Sequence, residues 1–299
     1  MIRTALFAFA LATLPASAFA ASPAPAEASA FASDRITVTV KGSGPDVILV
    51  PGLTSSPAAW KFVAEDVPGY RYHYVQVKGF AGTPAEGNAK GDVTKMAAEE
   101  IARYIAAARL KAPAIVGHSM GGSIAMMVAA RHPGSVSKAM VVDMFPFMGA
   151  MFGGPNATSE SVAPIADGMM AQMQAATPEA RKAQMTAMTG AMVANEAERG
   201  AVVQSALDSD QAVVASAYRE LIVTDLRPEL GKIAVPATIL YVTPKGVPLT
   251  DEQMDGYYKA AYASLAGAKL TRIPDSAHFI MYDARARFAA ELKAFLAAK

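Results

Sequence analysis

A serine flanked by glycines is the residue of this chain best suited to chemistry. It lies in segment 117–121, Gly-His-Ser-Met-Gly, after a short β-branched apolar run and before an Ala/Met-rich helical run. Gly-x-Ser-x-Gly between a strand and a helix is typical of a nucleophile elbow. Because the serine backbone is strained in so tight a turn, only residues without a Cβ allow strand and helix to approach closely. The pattern predicts that Ser119 is a nucleophile and that Gly117 and Gly121 make room for it.

A serine hydroxyl needs a base to take its proton, and the chain has four histidines from which to choose. His278 follows the last predicted strand, at the edge where open α/β sheets place their sites. His118 adjoins the serine in the turn, so its side chain cannot easily face the same way and is expected to pack beside the site. His73 lies within a strand and His132 at a helix end, where structural roles suffice. We therefore expect His278 to be the base.

Two aspartates are candidates for the acid that orients this base. Asp143 ends the strand after the elbow helix, behind two valines, where a carboxylate is costly unless it is paired. Asp251 lies one strand later, in the first turn of a predicted helix, where an acid ordinarily interacts with the helix N-terminus. The sequence favours Asp143, and Asp251 remains the alternative.

Stabilisation of a developing oxyanion requires backbone N–H donors near the serine. One is the N–H of Met120, directly after the nucleophile. The other is expected in the loop after strand 46–50, where Pro51-Gly52 leads to the N–H of Leu53. The same Pro-Gly pair is equally compatible with a plain turn.

The elements that must position these residues alternate between strands and helices. Strands are predicted at 36–40, 46–50, 71–77, 112–116, 138–142, 237–242 and 269–273, with a closing helix at 283–298. The alternation predicts an α/β fold with a mostly parallel, doubly wound sheet and right-handed crossovers.

The alternation of strands and helices is interrupted between residues 144 and 226, where no clear strand is predicted. This region is helical in pattern and holds nine of the seventeen methionines between Met144 and Met192. We interpret residues 145–226, approximately, as a helical cap over the edge of the sheet. Methionine fills irregular apolar space, which favours a substrate with an apolar acyl or alcohol group, although good helix propensity explains the composition almost as well.

In their order, these motifs resemble the α/β-hydrolase superfamily, specifically its lidded esterase- and lipase-like serine members. The matching pieces are segments 50–53, 78–82 and 117–122, Asp143, and segment 275–279. The resemblance covers the chain from about residue 35, and implies an α/β-hydrolase domain at 34–299. Some members carry the acid after the strand that follows the elbow, as Asp143 would be, and others one strand later. The usual Gly-x-x-Asp of the second arrangement is missing in segment 241–245.

The resemblance implies a serine hydrolase that cleaves a carboxylic ester or thioester through an acyl-enzyme. The alternatives are a non-catalytic periplasmic protein that binds a small ligand, and a perhydrolase or carbon–carbon bond hydrolase. No nucleotide or metal cofactor is expected, because Gly-x-Gly-x-x-Gly and Gly-Lys-[Ser/Thr] patterns are absent and the histidines lack ligand spacing. A serine in place of an aspartate also argues against dehalogenase and epoxide hydrolase activity.

The first twenty residues have the form of a signal peptide. Arg3 precedes an apolar stretch at 5–14, and Ala18-Phe19-Ala20 is a small-x-small cleavage site. The apolar run is too short to remain as a membrane anchor. A Pro/Ala-rich disordered spacer is predicted at 21–33. We expect a bacterial periplasmic or secreted protein.

The rest of the composition says little about macromolecular partners. Removal of residues 1–20 would leave 26 basic and 26 acidic residues, a balance that favours neither nucleic acid nor an anionic membrane. The chain contains no cysteine, so its stability cannot depend on disulfides. The expected partner is a small apolar ester-type molecule, and the oligomeric state is left open.

Overall fold

The computed structural model describes Met1 and residues 31–298. The predicted signal peptide after Met1, and residues 21–30 of the predicted spacer, lie outside the described residues. Seven strands form one sheet, and their bounds are β1 (Ile36–Gly42), β2 (Asp46–Val50), β3 (Arg71–Val77), β4 (Ala114–His118), β5 (Lys138–Val142), β6 (Ala237–Tyr241) and β7 (Lys269–Arg272).

The strands follow the order β1-β3-β2-β4-β5-β6-β7. Only β1 pairs in the antiparallel sense, with β3, and each of the other five pairings is parallel. The middle strands are continuous apolar runs because both faces of a parallel sheet are covered. The mostly parallel, doubly wound sheet predicted from the sequence is therefore confirmed. Its topology brings the carboxyl ends of β2 and of β4 to β7 to one edge.

Helices cover both faces of the sheet, and the sheet separates the core into two layers. They are α1 (Val63–Asp66), α2 (Val93–Ala107), α3 (Met120–Arg131), α9 (Asp251–Ala261), α10 (Ile280–Asp283) and α11 (Arg285–Ala297). Neighbouring residues of β4 face opposite layers, since Ile115 belongs to the same core cluster as Ile101 of α2, and Val116 to the same cluster as Leu292 of α11. Both layers exclude water from the strands that lead to the candidate site.

Five helices lie between β5 and β6: α4 (Ala150–Gly153), α5 (Ser159–Ala175), α6 (Pro178–Met192), α7 (Glu196–Leu207) and α8 (Gln211–Val223). Each of the four longer helices is preceded by an N-cap residue whose side chain accepts a hydrogen bond from a backbone N–H of the first turn. These N-cap residues are Thr158, Thr177, Asn195 and Asp210. We call this region, α4 to α8, the cap. Within residues 31–298, no helix combines the length and apolarity that a membrane span requires.

Several predicted bounds differ from those of the structure by one or two residues, and two of these differences have a clear physical reason. The strand predicted at 112–116 begins later, at Ala114, because Ala112 has a φ of 45° and Pro113 has no N–H to donate. The closing helix predicted at 283–298 begins two residues later, at Arg285, since Ala284 has a φ of −123° between α10 and α11. Asp283, expected to start the closing helix, instead ends α10.

Candidate active site

Ser119 occupies the turn between β4 and α3 in a strained conformation. Its φ is 53° and its ψ is −121°, a region that L-residues rarely adopt and that persists only where the surroundings enforce it. A Cβ on Gly117 would overlap the carbonyl of Gly121, and a Cβ on Gly121 would overlap the carbonyl of Val50. The steric reason given for both glycines is therefore confirmed.

Asp143 and His278 form a hydrogen bond at the same edge of the sheet. The distance from His278 Nδ1 to Asp143 Oδ2 is 2.7 Å, although 135 positions separate the two residues in the chain. Asp143 directly follows β5, and His278 lies in the loop between β7 and α10. Their side chains are only 11% and 24% exposed, respectively, so water screens this contact weakly.

The second oxygen of Asp143 is bonded as well. Its Oδ1 accepts the hydroxyl of Tyr258 at 3.1 Å and the N–H of Val242 at 3.2 Å. Burial, with the nearby charge of Asp143, raises the pKa of Tyr258 well above its ordinary value of 10, so its hydroxyl stays protonated and donates. Both oxygens of this shielded carboxylate therefore have hydrogen-bond donors, which offsets the cost of its burial.

Tyr258 was missed by sequence reasoning because it lies in α9, outside every motif. The available signal was the four-residue spacing of Met254, Tyr258 and Tyr262, which places all three on the buried face of one helix. That spacing indicates burial, but it does not reveal that the Tyr258 hydroxyl contacts Asp143.

His118 supports the loop that carries His278. Its Nε2 is 3.0 Å from the carbonyl oxygen of His278, and because a carbonyl only accepts, Nε2 bears the proton. Burial, reinforced by His278, lowers the pKa of His118 well below 6.5, so the ring is neutral. The ring centroids of His118 and His278 are 4.6 Å apart. His118 packs beside the site, as its position in the turn predicted.

The remaining histidines serve elsewhere. His73 is buried, and its two ring nitrogens bond the hydroxyl of Tyr104 at 2.6 Å and Asp46 at 2.8 Å. Asp46 begins β2, so this cluster lies towards the opposite end of the strands from Ser119. His132 directly follows α3 and lies 3.1 Å from Glu99.

Asp251 does not contact His278. It accepts the hydroxyl of Thr243 at 2.6 Å and forms an ion pair with Arg272 at 2.6 Å. Of the two aspartates considered from the sequence, the structure brings Asp143 to the histidine.

The two expected oxyanion donors are Met120, which adjoins Ser119 in the chain, and Leu53, which follows Gly52. Met120 is the first residue of α3, so its N–H has no acceptor within the helix. Leu53 follows Gly52, and a Cβ built on Gly52 would lie 3.1 Å from the Cβ of Ser119. The backbone of the loop after β2 therefore lies against the elbow.

Two of the three predicted triad residues are joined by a hydrogen bond. Within residues 31–298, that bond links Asp143 and His278, and none is formed between Ser119 Oγ and the His278 ring. Catalytic hydrogen bonds are often long before substrate binds, so the arrangement remains compatible with a triad. No group of three or more His, Asp or Glu side chains that could hold a metal occurs among the described residues.

The chain resembles known proteins over most of its length. The model of the alpha/beta hydrolase family matches residues 47–291. The pimeloyl-[acyl-carrier protein] methyl ester esterase of Vibrio cholerae is 28% identical over 203 residues, which are 68% of this chain and 76% of that protein. The N-formylmaleamate deformylase of Pseudomonas putida is 36% identical over 103 residues, 34% of this chain and 38% of the deformylase. The match thus spans well under half of the deformylase.

Solved structures share the fold at low sequence identity. An esterase from Exiguobacterium antarcticum superposes with a TM-score of 0.73 at 22% identity, covering 88% of this chain and 96% of that one. The enol-lactonase from Burkholderia xenovorans gives a TM-score of 0.70 at 17% identity, with the same coverage. With the α/β-hydrolase fold in place and the family model matched from β2 to α11, the chain belongs to the alpha/beta hydrolase family.

Proposed function

We propose that this protein is a serine hydrolase that cleaves a carboxylic ester or thioester through an acyl-enzyme. The observation that carries the proposal is the 2.7 Å hydrogen bond between Asp143 and His278, formed beside the strained elbow of Ser119. A nucleophile, a base and an orienting acid are the minimum set for serine catalysis. All three come from the carboxyl edge of the sheet.

Each group has a role in the proposed reaction. The Nδ1–H of His278 donates a hydrogen bond to Asp143, which leaves Nε2 free to accept the proton of Ser119. Ser119 Oγ attacks the ester carbonyl, and the N–H groups of Met120 and Leu53 stabilise the oxyanion. His278 then passes the proton to the leaving alcohol or thiol as the acyl–oxygen or acyl–sulfur bond breaks. Water, deprotonated by His278, releases the acid and restores Ser119.

The names of the relatives support an ester substrate. The longest of the reported sequence matches is to a methyl ester esterase, and the solved relatives include an esterase and an enol-lactonase. The apolar character of the substrate rests on the methionine-rich cap sequence. An apolar ester is the form of substrate that fits both considerations.

The proposal is tested with p-nitrophenyl acetate, butyrate and octanoate, using the wild-type protein and Ser119→Ala. Loss of the nucleophile should lower kcat/KM by several orders of magnitude. Circular dichroism checks that the variant is folded. Residual activity near wild type would exclude Ser119 as the nucleophile.

A fluorophosphonate probe separates the enzyme from a non-catalytic binding protein on the same fold. The probe reacts covalently only with an activated serine, so the wild type should be labelled at Ser119, as located by peptide mass spectrometry, and Ser119→Ala should not. Absence of labelling in the wild type would favour the binding protein.

We also propose export from the cytoplasm with removal of residues 1–20, on the basis of the predicted signal peptide. The test is the intact mass of the protein from the periplasmic or secreted fraction. Cleavage after Ala20 predicts an N-terminus at Ala21, and an N-terminus at Met1 would contradict it.

A further inference from the structure

The loop that carries His278 is held at three successive backbone positions. The N–H of Ala277 donates to Asp283 Oδ2 at 2.9 Å. The carbonyl of His278 accepts from His118 at 3.0 Å, and the N–H of Phe279 donates to the carbonyl of Met192 at 3.1 Å. Each bond has a different partner, so the loop is fixed from several sides.

Two of these three bonds connect the loop to the cap, one directly through Met192 and one through Asp283. Met192 is the last residue of α6, and Asn195 precedes α7. The N–H of Asn195 donates to Asp283 Oδ1 at 2.8 Å, while the other oxygen of the same carboxylate holds Ala277. Asp283 therefore joins the segment between α6 and α7 to the residue that precedes His278.

The carboxylate suits this role for a chemical reason. Each oxygen of an ionised carboxylate accepts, and a bond from N–H to a charged acceptor is about twice as strong as a neutral one. An amide of the same size accepts at only one position, because its NH2 group would face the second N–H donor. Asp283 can therefore hold both segments, and asparagine cannot.

We infer that Asp283 is a positioning residue for His278 and that it makes the placement of the cap a condition of catalysis. This inference rests on the proposed function. The residues on either side of His278 are hydrogen-bonded to Asp283 and to Met192. These bonds fix the position of the imidazole relative to the segment between α6 and α7. When the link is broken, the loop that holds the imidazole against Asp143 loses its connection to the cap through Asp283.

The first test compares Asp283→Asn with the wild type on the ester panel. A misplacement near 1 Å can cost about 100-fold, so kcat should fall by about 10- to 100-fold while KM changes little. Labelling by the fluorophosphonate should slow in parallel, because it depends on the same serine and base. The control is Asp210→Asn. Both N–H donors at the start of α8 reach the same oxygen of Asp210, at 2.9 and 3.0 Å, so an amide keeps both bonds and this variant tests the loss of the charge alone.

The second test breaks the link from the side of the cap. Asn195 has a φ of −71°, which proline adopts, so Asn195→Pro removes the N–H at a compatible φ. Asn195→Ala keeps the N–H but also loses the side-chain cap of α7, as the proline variant does. The difference in kcat between these two variants isolates the hydrogen bond to Asp283, and the proline variant should be slower.

The outcomes separate the inference from the proposed function. Wild-type kcat in Asp283→Asn, an equal loss in Asp210→Asn, or equal kcat in both Asn195 variants would overturn the positioning role. If Asp283→Asn fails to fold, the Asn195 pair decides. A wild-type protein without labelling at Ser119 would instead overturn the proposed function.

Discussion

Ser119 and Asp143 stand side by side at the carboxyl ends of neighbouring parallel strands, and both have positive φ. The residues before them, His118 and Val142, are register partners, and the N–H of Ser119 donates to the carbonyl of Val142 at 2.9 Å. Their φ values are 53° and 52°. Such strain in non-glycine residues concentrates at functional sites. Thus β4 supplies the candidate nucleophile and β5 the candidate acid.

We expect Asp143→Asn to lower kcat by roughly 10³- to 10⁴-fold, the size of loss that follows when the acid of a serine triad becomes an amide. The amide no longer fixes the tautomer of His278. Asp251→Asn is the matched control, because Asp251 is paired with Arg272. Steady-state kinetics on one ester measures both variants. Equal losses in both variants, or the larger loss in Asp251→Asn, would contradict the assignment.

Tyr258→Phe removes the hydroxyl that donates to Asp143 Oδ1. Loss of this donor should cost about 1 kcal/mol in the free energy of unfolding and lower kcat by about tenfold. Tyr262→Phe is the control, since its hydroxyl bonds the carbonyl of Met144 at 2.7 Å. Urea denaturation should show a similar loss of stability in both variants, and kinetics should show the larger loss of kcat in Tyr258→Phe. Equal kcat values would exclude a role for Tyr258 in holding Asp143.

Gly121→Ala should destabilise the protein by about 1–3 kcal/mol or more, because the added methyl overlaps the backbone carbonyl of Val50. Gly168→Ala provides the contrast. Gly168 lies within α5 with nothing near its added Cβ, so alanine should stabilise by about 0.5–1 kcal/mol. Thermal denaturation would measure both shifts, and a tolerated Gly121→Ala would contradict the close approach of the elbow to β2.

The buried His118 should make stability depend on pH. Its pKa is lowered well below 6.5 in the folded protein, whereas the unfolded chain keeps the ordinary value. At a pH between the folded and the unfolded pKa, only the unfolded chain binds the proton. The contribution of neutral His118 to the free energy of unfolding is complete above about pH 6.5. It is lost as the pH falls, by about 1.4 kcal/mol per pH unit. His118→Gln keeps a donor but does not titrate.

Urea denaturation at pH 7.5, 6.5 and 5.5 checks this dependence. The free energy of unfolding of the wild type should fall relative to that of His118→Gln as the pH decreases. His73, whose pKa burial also lowers, is present in both proteins and cancels in the comparison. Parallel curves would show that His118 is not the group responsible.

Local sterics and strand patterning could be interpreted from the sequence alone. Ser119 was recognisable because the glycines beside it are required by a steric constraint that involves only a few neighbouring residues. The parallel sheet followed from short apolar runs alternating with helices. His278 could be selected by elimination among four histidines, since its place after a strand defined its edge of the sheet. These inferences require only short-range geometry and one rule of topology.

Only the tertiary structure decided which distant groups meet. Asp143 rather than Asp251 contacts His278 because the β5–β6 pairing and the loop after β7 fix the direction of each carboxylate. Tyr258 donates to Asp143 through the packing of α9, and Asp283 reaches the cap because α10 ends there. These contacts span up to 135 positions in the chain, and no periodicity encodes a side-chain direction over that distance. The sequence therefore identified the candidate nucleophile, base and acids, and the packing of helices on the sheet determined their partners.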